Sequence, residues 1–157
     1  MWCHCDGKTW LPAQNLAMTE DCYGFSEKEF SWLEHVVKDV MEPTPYPPRS
    51  CSLGERRKYG AMVVELWNAG RIRKANVVQE VAVSALAWGQ GKRGFGVAGA
   101  DGIAYLLGRS FRDPGTLQHF AMHETVHVFN NEQRLGLSPD AIHSIAERCH
   151  NSAPGTP

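Results

Sequence analysis

The run from Thr116 to Leu135 contains neither glycine nor proline, and within it His123, Glu124 and His127 fall among the apolar residues Leu117, Phe120, Ala121, Met122, Val126, Val128 and Phe129. Asp113-Pro114 supplies an N-cap followed by proline at the first helical position, so the chain is expected to form a helix over about 114–131. At about 100° per residue, Leu117, Phe120, Ala121 and Val128 form one apolar arc, and Met122, Val126 and Phe129 form a second on the far side. A helix apolar on two sides has to be covered on both. This one is therefore expected at the centre of the fold.

The segment His123-Glu124-Thr125-Val126-His127 puts two imidazoles four residues apart on one helical face, where both can reach a single metal ion. Zinc takes neutral imidazole nitrogens and lowers the pKa of a bound water to about 7. Glu124 lies roughly 100° further round the helix, within reach of such a water. Its apolar neighbours Phe120 and Val128 favour a raised carboxylate pKa, as suits a general base. The plainer alternative is a core helix whose histidines are satisfied by hydrogen bonds. It leaves three desolvated polar groups to be partnered.

A catalytic zinc wants a third protein ligand and an open position for water. Downstream, Ser138-Pro139 reads as a helix start and predicts a helix over about 139–149. Ile142, Ile145, Ala146 and Cys149 form its apolar arc, and Asp140, His143, Glu147 and His150 the opposite one. Such a polar stripe can line a metal site or simply face water.

With these residues in place, the chain resembles the zincin metallopeptidases. Nineteen residues separate His127 from Glu147, as in the thermolysin-like gluzincins, and the small size is similar to the minigluzincins. The resemblance covers about residues 95–150. It implies an α+β fold: a small mixed sheet whose edge strand packs on a central motif helix, and a C-terminal helix carrying the third ligand. It also implies zinc held by His123, His127 and Glu147, with Glu124 as base. The glutamate lies in Ala146-Glu147-Arg148, where the related enzymes have Asn before it and Ala after it, and Asn151 replaces the Asp expected to support the first histidine. His143 and then Asp140, in an aspzincin-like arrangement, are the other candidates for third ligand. A metzincin is excluded, because Asn130 and Gln133 stand where that group needs Gly and His or Asp.

The 157 residues suit one compact domain with a possible Cys-bearing appendage over residues 1–24 and a proline-rich connector over 42–51. A formal net charge of −1 gives no electrostatic case for nucleic acid, and no stretch of 18 apolar residues suggests a membrane span. No signal peptide is visible, so a cytoplasmic protein or a mature secreted form is expected. The sequence does not indicate an oligomeric state. Five cysteines leave at least one unpaired within the chain. Cys3, His4, Cys5 and Cys22 could hold a second zinc, or bridges such as Cys22 to Cys51 could form; an inhibitory thiolate from Cys3 or Cys5 on the zinc is a further idea.

Phe25 to Phe30 reads as a capping box and staple opening a helix over about 26–41, buried through Phe30, Leu33, Val37, Val40 and Met41. A second capping box, Ser52 to Glu55, opens a helix over about 53–69. Arg71 to Lys74 is ambiguous, and Val77 to Val83 is expected to be a strand because of its β-branched residues. Ala100-Asp101-Gly102 marks a hairpin turn between strands at about 94–99 and 103–108. Ile103 to Leu107 is the expected edge strand for extended substrate.

These features predict a zinc metallopeptidase acting on a peptide or protein substrate. Glu124 would take the water proton, and His143, His150 or Tyr105 would assist the oxyanion. The alternatives are a non-catalytic zinc-binding scaffold and a toxin or effector protease with one narrow substrate. His119, four residues before His123, has an undecided role and is expected to partner nearby polar groups.

Overall fold

The computed structural model describes residues 2–3, 11–12, 24–25, 27–40, 51–75, 77–89 and 94–150. These form an α+β structure, mostly helical, in which a three-stranded mixed sheet lies against a helical core. Three two-residue strands, β1 (Trp2–Cys3), β2 (Leu11–Pro12) and β3 (Gly24–Phe25), make a separate antiparallel sheet in the order β2-β1-β3. His4, Cys5, Cys22, Ser26 and most of the proline-rich connector lie outside the described residues. So does the expected helix start at Ser26.

Two helices early in the chain help to position the central one. The first, α1, spans Glu27–Asp39, and Phe30, Leu33, Val36 and Val37 bury its apolar stripe together with Val40 just beyond it. The second, α2, spans Leu53–Asn68. Its expected capping box is present: Glu55 N–H donates to Ser52 Oγ at 3.1 Å and Ser52 N–H to Glu55 Oε1 at 3.4 Å. Arg56, buried between the two helices, donates from Nε to Val40 O at 3.2 Å and from Nη2 to Asp39 O at 3.1 Å. It thereby satisfies carbonyls that the end of α1 leaves without intrahelical donors.

The predicted central helix is longer than expected. α4 runs Pro114–Gln133, opened by Thr116 N–H donating to Asp113 Oδ1 at 2.7 Å and closed at Arg134 in the left-handed region (φ 51°, ψ 55°). It packs on α1, α2, the sheet and the C-terminal helix α5 (Pro139–Cys149). Leu117, Ala121, Met122, Val126, Val128 and Phe129 are all buried, so both expected arcs are covered. Burying each such large aliphatic side chain is worth about 1.5–3 kcal/mol. Phe120 is only half-buried, and its ring stacks on Phe95 at 4.4 Å.

The main sheet has the order β4 (Ile72–Lys74), β6 (Ala104–Leu106), β5 (Gly96–Ala98), with β4 parallel and β5 antiparallel to β6. The expected hairpin turn is present. Gly102 has φ 80°, Gly99 N–H donates to Ile103 O at 2.8 Å, and Ile103 N–H donates to Asp101 Oδ1 at 3.1 Å. The expectation that Ile103 to Leu107 forms the substrate-facing edge is corrected, because β6 is the central, buried strand, paired on both sides. The edge that packs on α4 is β5.

Two other expectations are overturned. Val77 to Val83 is helical, the first part of α3 (Val77–Gly89). Glu80 and Ser84, one turn apart, both reach the start of a short 3-10 helix (Gly108–Arg112): Glu80 accepts from Gly108 N–H, and Ser84 Oγ accepts from Arg109 Nη2 at 2.7 Å. A strand would not bring positions i and i+4 to one such short segment, so the helical period wins over β-branched preference. The outer face of α3 carries Val78, Val81, Leu86 and Trp88, with Trp88 83% exposed. Cys51 is bonded to Cys149, not Cys22, and this bridge ties the start of α2 to the end of α5. No helix among the described residues is long and apolar enough to cross a membrane.

Candidate metal centre

α4 presents His119, His123 and His127 at successive helical turns, and the first two face residues of α5 and its cap. The His123 and His127 rings are 4.7 Å apart and nearly perpendicular. With about 2.0–2.1 Å from zinc to nitrogen and about 1.1 Å on to the ring centre, two imidazoles sharing a tetrahedral ion have centroids about 5 Å apart. The pair therefore suits a shared ion by ring spacing and donor type. Its helical placement follows from the 3.6-residue period that the sequence displayed.

Glu124 is 4% exposed, and its Oε1 lies 2.7 Å from His123 Nδ1. An ionised carboxylate accepts only, so this contact puts the proton on Nδ1 and leaves Nε2 as the ligating nitrogen. A second partner of this kind normally sets the tautomer of a metal-binding histidine. Here Glu124 fills that place, while Asn151 lies outside the described residues. Gly96 in β5 sits directly over the glutamate. A Cβ added there would stand 2.8 Å from Glu124 Cγ and 2.8 Å from Tyr105 O, so the close approach of β5 to α4 requires glycine.

α5 is set against α4 by a short loop that Asn130, in the last turns of α4, holds by donating from Nδ2 to Leu137 O at 3.1 Å and accepting from Leu137 N–H at 3.0 Å. Ser138 caps α5 by accepting from Ala141 N–H at 3.1 Å. Facing the α4 histidines, His143 lies 5.7 Å from His123 and 5.6 Å from His119, and His150 lies 5.2 Å from His119, all between ring centroids. Glu147 Oε2 is 3.5 Å from His143 Nε2; both side chains are mostly exposed, at 67% and 57%. A cleft of about 540 Å³ runs beside these residues, with His119, His143, Glu147 and His150 on one side and Phe95 and Arg112 among the others.

His119 and His127 are biased toward the neutral form by their surroundings. Burial, reinforced by the neighbouring His150, His123 and His143, pushes the His119 pKa down from 6.5 to about 3. Burial also lowers that of His127, against an opposing pull from Glu124. Neutral imidazole is the form that binds a metal.

Of the residues expected to form the site, His123, Glu124 and His127 come together and His143 stands beside them. Glu147 faces His143 in the cleft, and Asp140 is exposed in the first turn of α5. Among the described residues, no three His, Cys, Asp or Glu side chains are placed to hold a metal ion as they stand. Tyr105 is not available to an oxyanion in this arrangement, since it is buried and its hydroxyl donates to Asp101 Oδ2 at 2.6 Å. His119, whose role the sequence left undecided, proves central to the histidine cluster. The signal for it was its four-residue spacing from His123. No family model matches the chain, and no curated protein or solved structure matches it either.

Proposed function

We propose that the chain is a zinc-dependent metallopeptidase. The observation carrying this reading is the pair of imidazoles on adjacent turns of α4, 4.7 Å apart, with the buried carboxylate of Glu124 between them in sequence and an edge strand lying over it. His123 and His127 would hold the ion, with Glu147 of α5 as the third ligand implied by the resemblance. When bound, zinc supplies polarisation of the scissile carbonyl and acidification of a water.

The remaining roles belong to the chain itself. Glu124 Oε1 or Oε2 takes the water proton and returns it to the departing amine. Leu107 N–H donates to Phe95 O and Gly99 N–H to Ile103 O, which turns the main-chain groups of Gly96 and Ala98 away from β6. An extended peptide can pair with those groups, largely independent of its side chains. The stacked Phe95 and Phe120 rings offer an apolar wall beside the cleft.

One observation favours the second reading, a closed and non-catalytic zinc: the Glu124 contact to His123 gives the carboxylate an orienting job that needs no catalysis. Glu124→Gln distinguishes the two. The peptidase reading expects cleavage of a mixed peptide library by the zinc-loaded protein to fall at least about hundredfold with bound zinc unchanged. The scaffold reading expects no cleavage by either protein and about 10–100-fold weaker zinc binding by the variant. Native protein that takes up no zinc would overturn both.

A further inference from the structure

The imidazoles do not stop at the motif pair. Five of the chain's seven histidines gather between α4 and α5, and three of them, His119, His143 and His150, lie on the side of the cluster away from His127. We propose that His119, His143 and His150 form a second transition-metal site in the α4–α5 cleft, separate from the His123–His127 pair. This goes beyond the peptidase reading and does not depend on it.

Four observations support the assignment. The His119 ring is 5.6 Å from His143 and 5.2 Å from His150, close to the roughly 5 Å that tetrahedral sharing of one zinc demands. His150 Nδ1 lies 3.0 Å from Ala146 O, so its proton goes to the carbonyl and Nε2 becomes the ligating nitrogen. That is the backbone-carbonyl partner metal-bound histidines characteristically keep. His143, 57% exposed, has room to rotate toward the other two, and the donor atoms need such a rotation before they converge. Glu147, 3.5 Å from His143, adds negative charge at the cleft.

The same cleft suits an anion poorly. Arg112, its cationic wall residue, is already 3.2 Å from Asp113, and Glu147 opposes an anion directly. An imidazole-rich donor set selects zinc, copper, nickel or cobalt over the oxygen-seeking magnesium and calcium. The assignment also gives His143 a ligand's place instead of the oxyanion role expected from the sequence.

The test counts metal in the full-length protein, stripped with chelator, equilibrated with Zn²⁺ and freed of excess by dialysis. The native chain is expected to retain two equivalents, and H123A/H127A and H119A/H150A one each. Cobalt substitution of H123A/H127A should give the intense visible bands of a tetrahedral Co²⁺ site. If H119A/H150A does not fold, H143Q, at an exposed position, should show the same loss of one equivalent. Native protein that holds only one equivalent, kept by H123A/H127A and lost in H119A/H150A or H143Q, would support this site while sinking the peptidase reading. Native protein holding one equivalent or none, unaltered by H119A/H150A and H143Q, would overturn the second site.

Discussion

The Cys51–Cys149 bridge offers the sharpest quantitative prediction. It joins residues 98 apart in sequence, so it removes a large loop-closure entropy from the unfolded chain. The chain-entropy relation gives about 4.7 kcal/mol at 25 °C for a loop near 100 residues, and native disulfides typically contribute about 2–5 kcal/mol. In a domain of this length each kcal/mol moves the melting temperature by about 2–4 °C. C51S/C149S should therefore melt about 5–15 °C below the native chain. The native chain in reductant should follow the variant, as Ile142, Ile145 and Ala146 still bury α5. Scanning calorimetry of both proteins, with and without reductant, makes the comparison. A difference under about 2 °C, with an intact bridge shown by thiol counting, would refute the argument from unfolded-state entropy.

Further predictions concern the site and its supports. Gly96→Ala forces a Cβ within 2.8 Å of Glu124 Cγ and of the Tyr105 carbonyl, so it should cost about 1–3 kcal/mol and cut peptide cleavage more than tenfold; an unchanged melting curve and rate would refute the close approach. Arg56→Met strands the carbonyls of Asp39 and Val40 and should lower the urea midpoint by the equivalent of about 1–3 kcal/mol, against an expectation of no shift if those groups are solvated. In metal-free protein, the depressed pKa of His119 means that the unfolded chain takes up the proton first. Stability is then complete above about 6.5 and lost progressively as pH falls toward 3. His119→Gln should flatten this fall in chelator-treated protein, and an identical slope would refute the assignment.

What the sequence disclosed was local chemistry. Asp113-Pro114, Ser138-Pro139, the Ser52–Glu55 box and the Ala100-Asp101-Gly102 turn each work through hydrogen bonds a few residues apart, and each stands where expected. Long-range choices were hidden. Whether Ile103–Leu107 lies at an edge depends on β4 joining from thirty residues earlier, and cysteine connectivity cannot be read from spacing. α3 misled for another reason. Its β-branched residues favour a pleated surface, but its polar pair Glu80 and Ser84 turns toward the protein while Val78 and Val81 are exposed. At the site, the His123–His127 stripe was legible from a single helical period. How closely α5 approaches it depends on the Asn130–Leu137 contacts and on packing between helices, which no motif encodes.

The α4–α5 hairpin has a kinetic corollary. Among the described residues, the imidazoles that face one another lie on α4 and on α5 with its cap residue His150, joined by a short connection. Contacts of such sequence separation form well ahead of thiol oxidation between residues 98 apart. The histidine-bearing helix pair can thus assemble before the bridge between Cys51 and Cys149 closes, and the bridge acts as the late clasp that fastens it to α2.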